Sequence, residues 1–162
     1  MIKEMESIVN ECLKQHEGGE KFFDAIDENL RNDNLLITMM IGKVIENEKF
    51  DYIIVSGKFG KVFKDFTLNH IGKDFCDKVI VVNGGLRGNN EIDNFYDYYD
   101  IKGKNFIFID DSYYLGRTRN KIKSTIEKYG GNLLCSYVFY DGSKVKDDLV
   151  HSFYRYYDNY DN

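Results

Sequence analysis

The spacing of apolar residues changes character along the chain. Ile2, Met5, Ile8, Val9, Cys12 and Leu13 recur every three or four positions, which predicts an amphipathic N-terminal helix ended by Gly18 and Gly19. A second helical stretch is expected at about 34–48, after a turn rich in Asn and Asp. The period then collapses. "DYIIVSG" at 51–57 and "DKVIVVNGG" at 77–85 are short, continuous apolar runs closed by glycine, as strands covered on both faces would be. Between them, Val62, Phe63, Phe66 and Ile71 lie at roughly helical spacing. A third buried strand is expected at 105–110, then a helix at about 117–129 ended by Gly130 and Gly131, then a fourth strand at 132–140.

Strand, helix, strand, repeated, predicts an α/β protein with a mainly parallel sheet. In such sheets ligands bind beyond the carboxyl ends of the strands. That edge would carry residues 56–60, 83–88, 110–118 and 141–144. Residues 86–103 are too polar and aromatic for a core element and too long for an ordinary connection, so a hood or exposed hairpin is expected there. The tail "HSFYRYYDNYDN" sets four tyrosines among charges and has no readable function. One domain over 1–162 follows from the length, with N-terminal helices at 1–48, a core at 51–140 and a C-terminal extension at 144–162.

Composition narrows the function. The absence of proline, where ordinary usage would give roughly eight, leaves the turns to Gly, Asn and Asp. A net charge of −5 argues against nucleic-acid binding by broad phosphate neutralisation. No run approaches the length of a membrane span, and the charged N-terminus does not resemble a secretion signal, so a soluble, cytoplasmic protein is expected. Cys12, Cys76 and Cys135 form no CxxC pair, and His16, His70 and His151 have no Cys or acidic partner at ligand spacing, so no metal site built from histidine is expected.

The candidate chemistry lies in "FIFIDDSYYLGRT". Asp110 and Asp111 stand together at the end of the most hydrophobic strand, followed by a Gly-bearing turn that leads into a helix. Adjacent carboxylates are costly to desolvate, and helix capping needs only one of them. An acidic pair beside free backbone amides suits an anion that carries hydroxyls, or an anion that chelates Mg²⁺.

"IKGKNFIFIDDSYYLGRT" resembles the signature of the type I phosphoribosyltransferases: a GK turn, four apolar residues, two acids, and a loop ending in G-x-[ST]. The resemblance implies a three-layer phosphoribosyltransferase-like fold and transfer of phosphoribose from 5-phosphoribosyl-1-pyrophosphate (PRPP) to a nucleobase or amine, with release of pyrophosphate. It implies that Asp110 and Asp111 hold the ribose hydroxyls and meet Mg²⁺ indirectly, through PRPP or water. Ser112, Tyr113, Tyr114, Leu115, Gly116, Arg117 and Thr118 take the place of the 5′-phosphate loop. Ser56, Gly57, Lys58, Phe59 and Gly60 take that of the pyrophosphate loop. Residues 86–103 take that of a flexible hood, with Arg87 at its start to close on pyrophosphate. Asp141, just after the fourth strand, would serve the acceptor pocket. A homodimer is expected by analogy with proteins of this fold.

The chain departs from the family at Tyr113, Tyr114 and Leu115, where an aliphatic residue followed by small or hydroxyl-bearing residues is usual, and at Arg117, which replaces a small one. In the hypoxanthine enzymes an Asp base occupies the position of Tyr114, so no base is carried over. The alternative is a regulatory module that binds PRPP or a nucleotide without turnover. A phosphoacceptor reading of the acids fits less well, since "DDS" is not the D-x-D of aspartyl phosphatases and receiver domains place their acids after an earlier strand.

Overall fold

The computed structural model describes residues 33–82 and 99–160, together with Lys3, Ser7, Asn10, Glu11, Ala25, Glu28 and Asn29. Most of the expected N-terminal helix, Arg87 and most of the expected hood fall outside the described residues.

Within them, helix α1 spans Asn34–Asn47. The Asp33 side chain accepts the Leu36 amide at 3.0 Å and so satisfies one of the donors a helix start leaves open. Leu36, Ile37, Met40, Ile41 and Val44 form the buried stripe. Each such side chain contributes roughly 1.5–3 kcal/mol on burial, far more than intrinsic helix propensity supplies. Glu48 turns to extended backbone and ends the helix.

Strands β1 (Tyr52–Ser56), β2 (Val79–Val82), β3 (Asn105–Tyr113), β4 (Asn132–Asp141) and β5 (Val150–Arg155) form one sheet in the order β2-β1-β3-β4-β5. Every pairing is parallel. Parallel strands need crossovers that cover both faces, which explains why Ile53, Ile54 and Val55 are all buried without alternation.

One face carries Val55, Ile107, Ile109, Tyr137 and Phe139 against α1 and against Phe59 and Phe63 of helix α2 (Gly57–His70). A single helical turn, α3 (Lys73–Cys76), leads from α2 into β2. The other face carries Ile54, Ile80, Phe106 and Phe108 against Ile122 and Ile126 of helix α4 (Arg117–Lys128). The result is a three-layer arrangement.

Three expectations are refined. The third strand runs through Asp110 and Asp111 to Tyr113, because its ladder with β4 continues to the Tyr113–Asp141 pair. The described end of the expected hood is docked: Ile101 is buried beside Phe106, and Tyr99 meets Tyr52 edge-on at 5.6 Å. The expected C-terminal extension supplies a fifth strand and a short helix, α5 (Tyr156–Tyr160). Among the described residues, no helix is long and apolar enough to cross a membrane.

Candidate functional site

The strand order reverses direction between β1 and β3, and in doubly wound sheets that switch opens a crevice at the carboxyl edge. β1 feeds directly into α2. Gly57, at φ 62°, makes the turn in a conformation that other residues adopt at a cost, and Ser56 places no side-chain cap on the helix. Gly60 then lets the first turn of α2 settle on the strand it has just left: a Cβ there would lie 3.0 Å from the Val55 carbonyl carbon.

The expected pyrophosphate loop is therefore a helix start. Lys58 is exposed at its second position, while Phe59 points into the core and meets Phe139 edge-on at 5.8 Å. Of Phe59, only the backbone faces the crevice edge.

β3 ends differently. Its last register pair with β1 is Val55–Ile109, so Ser56 and Asp110 follow side by side at the carboxyl edge. Strand alternation sets Asp110 in the row of Phe106 and Phe108, and Asp111 in the row of Ile107 and Ile109. The two carboxylates thus flank the sheet edge instead of crowding one spot. Asp110 Oδ1 accepts the Asp111 amide and Asp111 Oδ1 accepts the Ser112 amide, each at 2.9 Å, which fixes both side chains. Ser112 pairs with Tyr140 in the ladder and belongs to the strand.

Only residues 114–116 turn. Gly116 caps α4 at φ 72° and offers no side chain, so the amides of Arg117 and Thr118 open the helix without a side-chain cap. Two uncapped helix starts, on neighbouring parallel strands, therefore bracket the acidic residues.

The tyrosines of the turn are packed. A Cβ on Gly116 would lie 2.7 Å from the Tyr113 hydroxyl, and that hydroxyl accepts from Arg119 at 3.1 Å. Arg119 also pairs with Asp147. Burial alone would raise the Asp147 carboxyl, but the Leu149 amide and the Arg119 guanidinium outweigh it and hold the group below its ordinary range. The Tyr114 ring lies against Gly142, where a Cβ would come within 2.7 Å of it, and sits 5.9 Å from Tyr140. Leu115 is exposed.

Beside this turn runs a groove of about 920 Å³, walled by Tyr113, Tyr114, Leu115, the loop 142–148 and Tyr157. Asp141 organises that loop from beneath. It is buried, accepts the amide and hydroxyl of Ser143, and lies 3.6 Å from Arg155 Nε. Arg155 in turn donates to the Ser143 carbonyl at 2.8 Å.

Sequence reasoning missed Tyr157 and Asp147 as parts of this wall, and Arg119 as the side chain that ties Tyr113 to Asp147. Arg119 was hidden among the charges of "GRTRNKIK", and the other two lie in segments without periodicity.

No protein-family model and no curated protein matches the chain. Among solved structures, a purine phosphoribosyltransferase from Pyrococcus horikoshii aligns with a TM-score of 0.54 at 20% identity, covering 74% of this chain and 78% of its own. A xanthine-guanine-hypoxanthine phosphoribosyltransferase from Helicobacter pylori gives 0.49 at 12% identity, over 77% of this chain and 82% of its own. A hypoxanthine-guanine phosphoribosyltransferase from Bacillus anthracis gives 0.48 at 18% identity, over 80% and 78%. At such identities the likeness is one of fold, and the Pyrococcus structure carries it. The chain has the fold of the phosphoribosyltransferases.

Proposed function

We propose that the protein is a PRPP-dependent phosphoribosyltransferase acting on a nucleobase or amine. The observation that carries this reading is the pair of uncapped helix starts, α2 after β1 and α4 after β3, with Asp110 and Asp111 between them. PRPP has the matching layout: an anion at each end and a hydroxylated ring in the middle. Helix starts favour anions through their free amides and dipole, and carboxylates accept from hydroxyls.

In this reading the amides of Gly57 to Gly60, with Lys58, hold the pyrophosphate. Those of Gly116 to Thr118, with the Thr118 hydroxyl and Arg117, hold the 5′-phosphate. Ser112, Tyr113, Tyr114 and Leu115 shape the wall between. Asp110 and Asp111 accept from the ribose hydroxyls and fix the ring. Arg87 closes on the departing pyrophosphate.

The bond from the anomeric carbon to pyrophosphate breaks as the acceptor nitrogen approaches, through an oxocarbenium-like sugar. The protein's contribution is to position the two partners and to stabilise the leaving charge. Mg²⁺, which favours hard carboxylate and phosphate oxygens, would be held through PRPP or water by Asp110 and Asp111 and would neutralise pyrophosphate charge. The groove beside Tyr113 and Tyr114 receives the acceptor, and Asp141 acts there by holding the 142–144 turn in place. The protein works as one domain in the cytoplasm, as a homodimer.

The packed tyrosines favour a second reading, a sensor that binds PRPP without turnover. Tyr113 lies against Gly116, and Tyr114, at the position where the hypoxanthine enzymes carry an Asp base, is packed against Gly142. Calorimetry with PRPP and Mg²⁺, followed by pyrophosphate release over a panel of bases and amines, separates the two. Release with one acceptor supports the transferase. Binding without release from any acceptor supports the sensor, and no binding at all rejects both.

A further inference from the structure

At the other end of the sheet, three potential metal ligands from three elements converge. Glu48 leaves the carboxyl end of α1, Cys135 lies early in β4, and His151 is the second residue of β5. Their donor atoms all lie within 4.8 Å of one another.

The register explains the convergence. His151 pairs with Tyr137, and Cys135 precedes Tyr137 by two, so all three side chains share the face covered by α1. Beside them is a cavity of about 360 Å³, walled by Lys43, Asn47, Glu48, Tyr137, His151, Ser152 and Phe153. The supporting residues are also in place. The Tyr137 hydroxyl donates to Glu48 Oε1 at 2.8 Å, and its ring lies 4.9 Å from the His151 imidazole, so both ligands are oriented by a neighbour.

We propose that Glu48, Cys135 and His151 form a site for a divalent transition-metal ion, zinc foremost, with its fourth position open to the cavity. Sulfur, nitrogen and carboxylate oxygen together suit zinc, and they disfavour the hard ions Mg²⁺ and Ca²⁺. At zinc bond lengths of about 2.0–2.3 Å, tetrahedral donors stand about 3.5 Å apart. The site closes by little more than about 1 Å, through rotation of the exposed His151 and the half-buried Glu48.

Burial, reinforced by the Glu48 charge and hydrogen bond, pushes the Cys135 thiol up to about 12, so that group holds its proton toward Glu48. Metal binding exchanges this proton for the ion: the S–H bond breaks, a sulfur–metal bond forms, and the proton leaves to buffer. The ion would tie α1 to β4 and β5. The PRPP reading plays no part in this site.

The test uses the full chain with Zn²⁺ or Co²⁺ as the probe. Expected are one tightly bound ion, a thiolate-to-cobalt charge-transfer band, and a melting temperature that rises with Zn²⁺. His151→Ala, at an exposed position, should fold normally and lose most of the affinity and of the Zn²⁺-dependent rise. Cys135→Ser should lose the cobalt band. Tyr137→Phe should weaken binding about tenfold, as removal of a supporting partner does. No binding at micromolar Zn²⁺, or binding and band unchanged in both His151→Ala and Cys135→Ser, would overturn the proposal.

Discussion

Alanine at Gly60 sets two opposed effects against each other, and their balance tests how closely α2 sits on β1. In a helix interior Ala is favoured over Gly by about 1 kcal/mol. At Gly60 the new Cβ would stand 3.0 Å from the Val55 carbonyl carbon and 3.2–3.3 Å from its side chain. The nearest obstacle is backbone and cannot swing aside. Overpacking of this kind costs about 1–3 kcal/mol, which leaves a net loss of up to about 2 kcal/mol.

Gly42 in α1 provides the control, since a Cβ there meets nothing within 4 Å. Gly42→Ala should therefore gain about 1 kcal/mol. For a chain of this size 1 kcal/mol moves the melting temperature by about 2–4 °C, so Gly42→Ala should raise it and Gly60→Ala should leave it unchanged or lower it. Urea and thermal unfolding of the two variants measure the contrast. In Gly60→Ala the displaced helix start should also weaken PRPP binding. Equal stabilisation by both substitutions would refute the close approach and, with it, the placement of the α2 amides at the crevice.

Other outcomes follow from the same wall. Gly116→Ala combines a strained φ of 72° with a contact 2.7 Å from the Tyr113 hydroxyl; it should cost about 1–3 kcal/mol and reduce phosphate binding, read by melting and by PRPP calorimetry. Asp141→Ala removes the buried acceptor of the Ser143 amide and hydroxyl and one of the two carboxylates beside Arg155, which keeps Asp158 at 2.8 Å; a loss of about 1–3 kcal/mol is expected in urea unfolding. The Asp147 carboxyl is held low in the folded protein, so its contribution is present above the ordinary carboxylate pKa of 3.8 and disappears as pH falls through the folded value. Acid unfolding of Asp147→Asn, which lacks this contribution at every pH, should therefore be less steep below that point than that of the parent.

The sheet was legible because its strands are apolar on both faces. "YIIVS", "VIVV" and "NFIFI" carry no alternation to be misread, and glycine closes two of the runs. β5 was hidden. It stands at the sheet margin, where His151 is exposed and Ser152 and Arg155 are half-buried, so its sequence carries neither a continuous apolar run nor a clean alternation. Asp110 and Asp111 stood out because charges rarely follow four apolar residues. Their placement on opposite sides of the edge depends on β4 extending the ladder to Asp141, which no local signal announces. Glu48, Cys135 and His151 lie far apart in the sequence, and only register brings them together.

Because every strand points the same way, the two ends of the sheet are different places. Cys135 and His151 sit near strand starts, whereas Asp110, Asp141 and Arg155 sit near strand ends. Asp141 lies six positions beyond Cys135 along β4, about 20 Å at the rise of a strand. Substitutions that far apart ordinarily add in free energy. Side chains at the crevice end can thus be exchanged without loosening the contacts of Glu48, Tyr137 and His151 at the other, a division of labour between the two poles of a single sheet.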